Sequence, residues 1–312
     1  MMNTIYLDST VDDDTRRQSL YEGQLFVFSP RPSTLALCEF ARELIEEAFA
    51  PLYPPDAQHQ MPVEQFVKVL AELKPTFIHH PRSKQLLQGM LEDFGCDLSN
   101  TYFDVPRLRS MAHTDYLTSG IALAFHPHRD TWFSAPHCQL NWWLPVYDVQ
   151  SENVMAFHPR YWSEAVPNTS SEYNYYRWNK ESRGAAAQNV KAETRKQPQA
   201  TEPLELDPQV RVVTPVGGVV LFSGAQMHST VPNTSRRTRF SIDFRTVHLD
   251  DLLNRRSAPN LDSRCTGTTM RDYLRGTDLS RIPDEIVAMY DDETALTAGG
   301  ELIYQPQVPS MA

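Results

Sequence analysis

The chain has 312 residues, 41% hydrophobic and 22% charged, which suffices for a large core and fits an ordinary globular protein. A formal net charge of −10 argues against nucleic acid as the main partner, because phosphate binding draws on a positive surface. No apolar run is long enough to cross a bilayer, and four cysteines without CxxC spacing suggest neither a zinc knuckle nor a disulfide framework. The opening residues are acidic and polar, unlike a signal peptide, so a cytoplasmic enzyme is the expectation.

The first hundred residues read as helical after one short strand. Residues 24–29 are apolar and β-prone. Pro32, Ser33 and Thr34 supply a helix start, and Leu35, Cys38, Ala41, Ile45 and Ala48 then recur at helical spacing. Residues 61–73 and 83–94 form two further amphipathic helices, the second stopped by Gly95. From Thr101 the texture changes to short apolar runs with aromatic and β-branched residues, broken by Pro, Asn and Gly. These runs, at 101–105, 119–125, 139–146, 153–158, 209–214, 218–223 and 240–247, read as strands.

A polar insertion over about 168–203 interrupts the strands. It opens with Tyr173, Tyr175, Tyr176 and Trp178, and from Arg177 to Lys196 six basic residues face only Glu181 and Glu193. It reads either as a solvated surface loop or as a lid whose basic part favours an anionic substrate. The segment 251–312 returns to loops and short helices, including one over 280–290, and wraps the core. Helices first and strands afterwards indicate a single domain, mainly β with flanking α. Its core over 101–250 is a β-barrel or sandwich with the N-terminal helices packed outside.

The chemistry-bearing residues are split. HxD occurs three times, at His113/Asp115, His128/Asp130 and His248/Asp250, so context must choose. His128 follows the strand-like run at 121–125 and precedes a strand whose Gln139, Asn141 and Trp143 share one face. His228 lies beyond a Gly turn, a buried strand and a second turn. Arg237, Arg239, Ser241, Asp243 and Arg245 then alternate with Phe240, Ile242 and Phe244, which puts a polar set on one strand face. Two imidazoles and one carboxylate can occupy one face of an octahedral Fe(II) and leave three positions open. A guanidinium shortly beyond the second His suits the far end of a chelating dicarboxylate.

The region from about Tyr102 to Val247 resembles the Fe(II)/2-oxoglutarate-dependent oxygenases, most of all the phytanoyl-CoA dioxygenase-like branch. The resemblance rests on the HxD at His128, the run Trp142-Trp143-Leu144-Pro145, the stretch ending at Pro159, and the Gly-turn strand leading to His228. An Asn-x-Ser turn and an Arg then follow. Pro159-Arg160-Tyr161-Trp162 and Gly217-Gly218 depart from the family's usual elements there, and neither removes a metal ligand. The resemblance implies a double-stranded β-helix (a jelly-roll, cupin-like fold) holding Fe(II) on His128, Asp130 and His228. It implies 2-oxoglutarate held by Arg239 with Ser241 beside it, and Asn141 and Trp143 as weaker contacts. O2 would be the co-substrate, a small metabolite the substrate, and succinate and CO2 products. The intact Asp130 favours hydroxylation, demethylation or related C–H oxidation over halogenation. The alternative is a non-oxidative, metal-dependent isomerase or binding protein on a cupin-type barrel, which has no need of the Arg239/Ser241 pair.

Overall fold

The structure, a computed structural model, describes residues 4–190 and 192–291. In chain order it begins with β1 (Ile5–Leu7), α1 (Asp13–Tyr21), β2 (Leu25–Phe28), α2 (Pro32–Phe49), α3 (Val63–His79) and α4 (Pro81–Asp93). There follow β3 (Thr101–Phe103), β4 (Arg107–Met111), β5 (Leu140–Pro145), β6 (Met155–Phe157), α5 (Tyr175–Glu181) and β7 (Val210–Arg211). The last are β8 (Val219–Ser223), β9 (His228–Thr230), β10 (Arg239–His248), α6 (Leu249–Leu253), β11 (Leu274–Arg275) and α7 (Asp284–Val287).

The strands form a large mixed sheet in the order β1-β2-β8-β5-β10-β3-β11, with β4 also paired to β10, and a small sheet β7-β6-β9. The ten-residue β10 is the spine of the large sheet, antiparallel to β5 on one side and to β4 and β3 on the other. The sequence reading of a sheet-rich core with helices is what the chain adopts. Its pairings describe two sheets rather than one closed ring of strands.

Alternation along the strands sorts the layers. Trp142, Leu144, Phe240, Ile242 and Phe244 face the helices and join one core with Phe40, Phe49, Phe66 and Leu87. Trp142 stacks on Phe244 at 5.6 Å, and Phe49 meets Phe240 edge-on at 5.8 Å. On the opposite face, Trp143, Val220 and Phe222 pack with Phe157 of the small sheet and with Val154 just before it. Burying each large apolar side chain is worth roughly 1.5–3 kcal/mol. A one-residue slip of β10 would instead drive Arg239, Asp243 and Arg245 into the helical layer, so the register is strongly fixed.

Three expectations are corrected. Residues 119–125 form no strand but a 3-10 turn at Gly120–Ala122 within a loop: the carbonyls of Gly120 and Ile121 accept from the side chains of Arg195 and Lys74, and the segment touches β9 through Phe125 and Thr230. The buried stripe of α2 runs through Thr34, Leu37, Cys38, Ala41, Ile45 and Phe49, so Leu35 and Ala48 lie outside it. The helix expected over 280–290 contracts to α7. The sequence reading also passed over β1, α1, β4, α5 and β11, which are short, polar or both. Residues 292–312 of the expected C-terminal wrap lie outside the described residues. Among the described residues, no helix is long and apolar enough to cross a membrane.

Candidate metal centre

His128, Asp130 and His228 come together from two distant parts of the chain. His128 and His228 pair through their backbones in both directions, N–H to O at 2.9 and 3.0 Å, an antiparallel bridge that sets the two imidazoles side by side. The Asp130 amide donates to the Gly224 carbonyl at 2.8 Å, which ties the HxD loop to the turn before β9. Arg129, between His128 and Asp130, is buried and points away. It donates to Asp262 at 3.1 Å and to the carbonyls of Ala225, Tyr161 and Glu164. Trp132 Nε1 donates to the same Asp262 carboxylate at 2.7 Å, so one C-terminal acid pins the whole loop.

His128 Nδ1 lies 2.8 Å from the His126 carbonyl oxygen, and His228 Nδ1 lies 2.9 Å from that of Gln226. A carbonyl only accepts, so each Nδ1 carries the proton and each Nε2 offers a lone pair inward. These Nε2 atoms stand 3.5 and 3.8 Å from Asp130 Oδ1, and all three ligand atoms lie within 4.8 Å of one another. Bonds of about 2.0–2.2 Å from one ion to each ligand fit that spacing. Asp130 Oδ2 is taken up elsewhere: it accepts from Gln139 Nε2 and Asn141 Nδ2, both at 2.8 Å, and Tyr273 donates to Gln139 Oε1 at 2.7 Å. One carboxylate oxygen is thus anchored and the other left free for a metal.

The electrostatics agree with that division. Burial works to raise the Asp130 pKa, but the His128 contact and the two nearby imidazoles outweigh it and hold the carboxyl well below its usual range. Burial, with His128 beside it, draws His228 down to about 4, so its imidazole is neutral at pH 7 and fit to ligate. Among the described residues this is the one group of His, Cys, Asp or Glu side chains with metal-ligand spacing. His113 instead faces the Asn233 carbonyl at 3.1 Å, and His248, though buried, has no such partners around it.

The centre opens into a cavity of about 530 Å³ between the large sheet, the small sheet, α3 and the insertion. Arg239 projects into it from β10. Its Nη1 donates to the Asn153 carbonyl at 2.9 Å, and its guanidinium lies 5.7 Å from the centre of the Trp143 ring. Its Nε is buried with no partner. Burial lowers the Arg239 pKa to about 10, which leaves it cationic at pH 7. Ser241, on the same face, is fully buried with an unpartnered hydroxyl and stands behind the cavity lining rather than in it. Asn141 lines the same cavity, where its amide donates to Asp130 and its carbonyl accepts from Gln139. Gln139 and Tyr273 were not assigned this role from sequence. Gln139 shares the inward strand face, and nothing in the sequence points to Tyr273.

The insertion forms one wall. Tyr173, Tyr175 and Trp178 line the cavity together with Ala186 and Ala187. Its basic residues are less free than their count suggests. Arg195 pairs with Glu193 at 2.7 Å and donates to the Gly120 carbonyl, and Arg183 bonds Asn179 at 2.8 Å and lies 4.0 Å from Asp272. Lys191 lies outside the described residues.

No family model and no curated protein matches the sequence. Among solved structures, the chain is similar to EvdO2 from Micromonospora carbonacea var. aurantiaca complexed with 2-oxoglutarate. That match has 12% identity, covers 77% of this chain and 92% of the other, and has a TM-score of 0.44. It is also similar to the epimerase SnoN in complex with Fe3+, alpha ketoglutarate and nogalamycin RO (16% identity, 75% and 83% covered, TM-score 0.40). A third is AviO1 from Streptomyces viridochromogenes Tue57 (13% identity, 81% and 100% covered, TM-score 0.38).

Proposed function

We propose that this chain is an Fe(II)- and 2-oxoglutarate-dependent oxygenase of a small molecule, built as a double-stranded β-helix in which the His128–His228 bridge ties the HxD loop to the small sheet. The observation that carries the reading is the pairing of two unsatisfied sets in one cavity. One is the inward-facing trio of His128 Nε2, His228 Nε2 and Asp130 Oδ1. The other is Arg239, a buried cation whose Nε has no partner. Buried polar groups rarely go without partners, so a buried guanidinium nitrogen left open argues for an acceptor that arrives with a ligand.

Two nitrogens and one oxygen on one side of an ion suit iron in a six-coordinate site with adjacent open positions. When bound, Fe(II) and 2-oxoglutarate would supply O2 activation, with succinate and CO2 as products. The chain's own residues orient and shield. The carbonyls of His126 and Gln226 fix both imidazole tautomers, while Asn141 and Gln139 hold Asp130 so that Oδ1 faces the ion. Arg239 receives the far carboxylate of 2-oxoglutarate, with Trp143 beneath its guanidinium. The aromatic wall of the insertion keeps bulk water from the reacting atoms.

The test is succinate release from Fe(II), 2-oxoglutarate and O2 with candidate metabolites. Succinate formation that requires all three and is lost in His228→Ala supports the reading. Turnover that needs a divalent metal but neither O2 nor 2-oxoglutarate would favour the non-oxidative isomerase instead.

A further inference from the structure

The charges around the cavity are unbalanced. Although the chain carries net −10, seven basic side chains and four carboxylates line this cavity. Five of the seven are in ion pairs: Arg107 with Asp104, Arg109 with Asp243, Arg245 with both of those acids, Arg195 with Glu193, and Arg183 with Asp272. Among the described residues the two without an ion pair are Arg239, already assigned to 2-oxoglutarate, and Lys74.

Lys74 sits on α3, an element that otherwise serves the apolar core, and is half-buried on the cavity wall. Its ammonium donates to the Ile121 carbonyl, which satisfies a donor without neutralising a charge. The acid that acts on it, Asp243, is already held by Arg109 at 2.6 Å and by Arg245 at 3.3 Å. Burial, with Arg109 adding to it, draws the Lys74 pKa down to about 7, the signature of a cation short of counter-charge. A lysine placed like this at no function's service would be costly, since a solvated position on α3 is a few residues away in either direction.

The surroundings define what would fit. The Arg109 guanidinium lies 5.7 Å from the centre of the Phe125 ring, which in turn lies 5.0 Å from the His128 imidazole. One aromatic ring therefore separates the Lys74–Arg109 end of the cavity from the metal ligands. Phe133 meets that ring edge-on at 6.3 Å, and Ile78, Ile121 and Leu123 add apolar surface to the same cavity.

We propose that Lys74, with Arg109 beside it, is a second anion site that receives a carboxylate, sulfonate or phosphate of the substrate while an apolar body of the substrate lies across Phe125 toward His128. Naming the ligand as substrate rests on the oxygenase reading; the anion site itself requires neither metal nor 2-oxoglutarate. It also relocates substrate charge recognition from the basic insertion, whose cavity-lining Arg183 and Arg195 are engaged, to α3 and β4.

The experiment uses the full chain without metal and a matched pair of fluorescent probes. 8-Anilinonaphthalene-1-sulfonate is an anion, and N-phenyl-1-naphthylamine is the same aromatic body without the sulfonate. The wild type should bind the sulfonate more tightly than the neutral amine. Lys74→Met should weaken the sulfonate by about tenfold or more, the scale of a charge-assisted contact, and leave the amine unchanged. Lys74→Arg should restore the sulfonate to within about threefold of wild type. The same selective loss should appear in an Arg239→Ala background, which excludes the 2-oxoglutarate arginine as the site read out. Equal affinity of the wild type for both probes overturns the proposal. So does a Lys74→Met variant that leaves the sulfonate unaffected, or one that loses both probes together. Loss of 2-oxoglutarate binding with the probe result intact would instead count against the oxygenase reading alone.

Discussion

At the scale of single residues, the centre is a set of side chains that each face two ways. Asn141 and Gln139 spend their amides on Asp130 Oδ2, so Asn141→Ala should weaken metal binding by about 10–100-fold without unfolding the protein. Isothermal titration with Fe(II) or Co(II) would read that change, whereas unchanged affinity would mean that Oδ2 needs no anchor. His228 gives a pH prediction for the metal-free chain. Its folded pKa, about 4, lies below the ordinary 6.5 because of burial and His128, so the unfolded chain takes up the proton first. Stability from this group is therefore full above about pH 6.5 and falls as pH drops toward 4, by on the order of 3 kcal/mol. Urea midpoints of wild type and His228→Gln should converge over that window; parallel curves would contradict it. Of these residues the trio that the fold brings together, and the place of Arg239 on the inward face of β10, were legible in the sequence, since metal-ligand types and a strand alternation mark them. Tyr273 was not, because its contact with Gln139 crosses 134 residues and leaves no local pattern.

At the scale of elements, β10 and the HxD loop do the positioning. The alternation of β10 was readable because its apolar half has to face the helices, and that requirement puts Arg239, Asp243 and Arg245 on the cavity side. The run 119–125 misled because its apolar residues look like a strand. Its folded role is set by neighbours instead: Lys74 and Arg195 hold its carbonyls, and Glu193 accepts from the Gly120 amide. Gly120 has φ of +59°, and a Cβ there would overlap the carbonyl oxygens of Ala186 and Asn189. Gly120→Ala should push the insertion off the loop and accelerate proteolysis within 183–196, with a proteolysis rate equal to wild type as the contrary result. The HxD loop depends on a buried ion pair. Asp262→Ala leaves Arg129 uncompensated and should cost about 3–5 kcal/mol in denaturant unfolding. A loss below about 1 kcal/mol would mean that the carbonyl contacts of Arg129 suffice without the acid.

At the scale of the whole molecule, two sheets, one helix and one insertion enclose a cavity whose lining includes the candidate metal ligands. The order of helices before strands made the sheet-rich core readable. The sequence did not reveal that α3 would reach past the outer layer to place Lys74 beside β4 and β10. Nor did it decide between loop and lid for 168–203, since aromatic residues at that spacing serve either. Their position on the cavity wall favours the enclosing role. Replacing 183–196 by a short Gly-Ser link should therefore raise the KM for the metabolite substrate, with 2-oxoglutarate affinity unchanged, as steady-state kinetics would record. Unaltered kinetics would leave the segment a surface loop.

The central claim is that one cavity holds a metal on His128, Asp130 and His228 and a dicarboxylate between that metal and Arg239. An anaerobic calorimetric titration of 2-oxoglutarate into Fe(II)-loaded and metal-free protein tests it most directly. The account predicts binding at one site per chain that requires the metal. It further predicts that Arg239→Ala loses one to three decades in affinity, on the order of 2–5 kcal/mol, while metal binding is retained. Equal binding of 2-oxoglutarate with and without metal, or an Arg239→Ala variant that binds it as wild type does, would contradict the account.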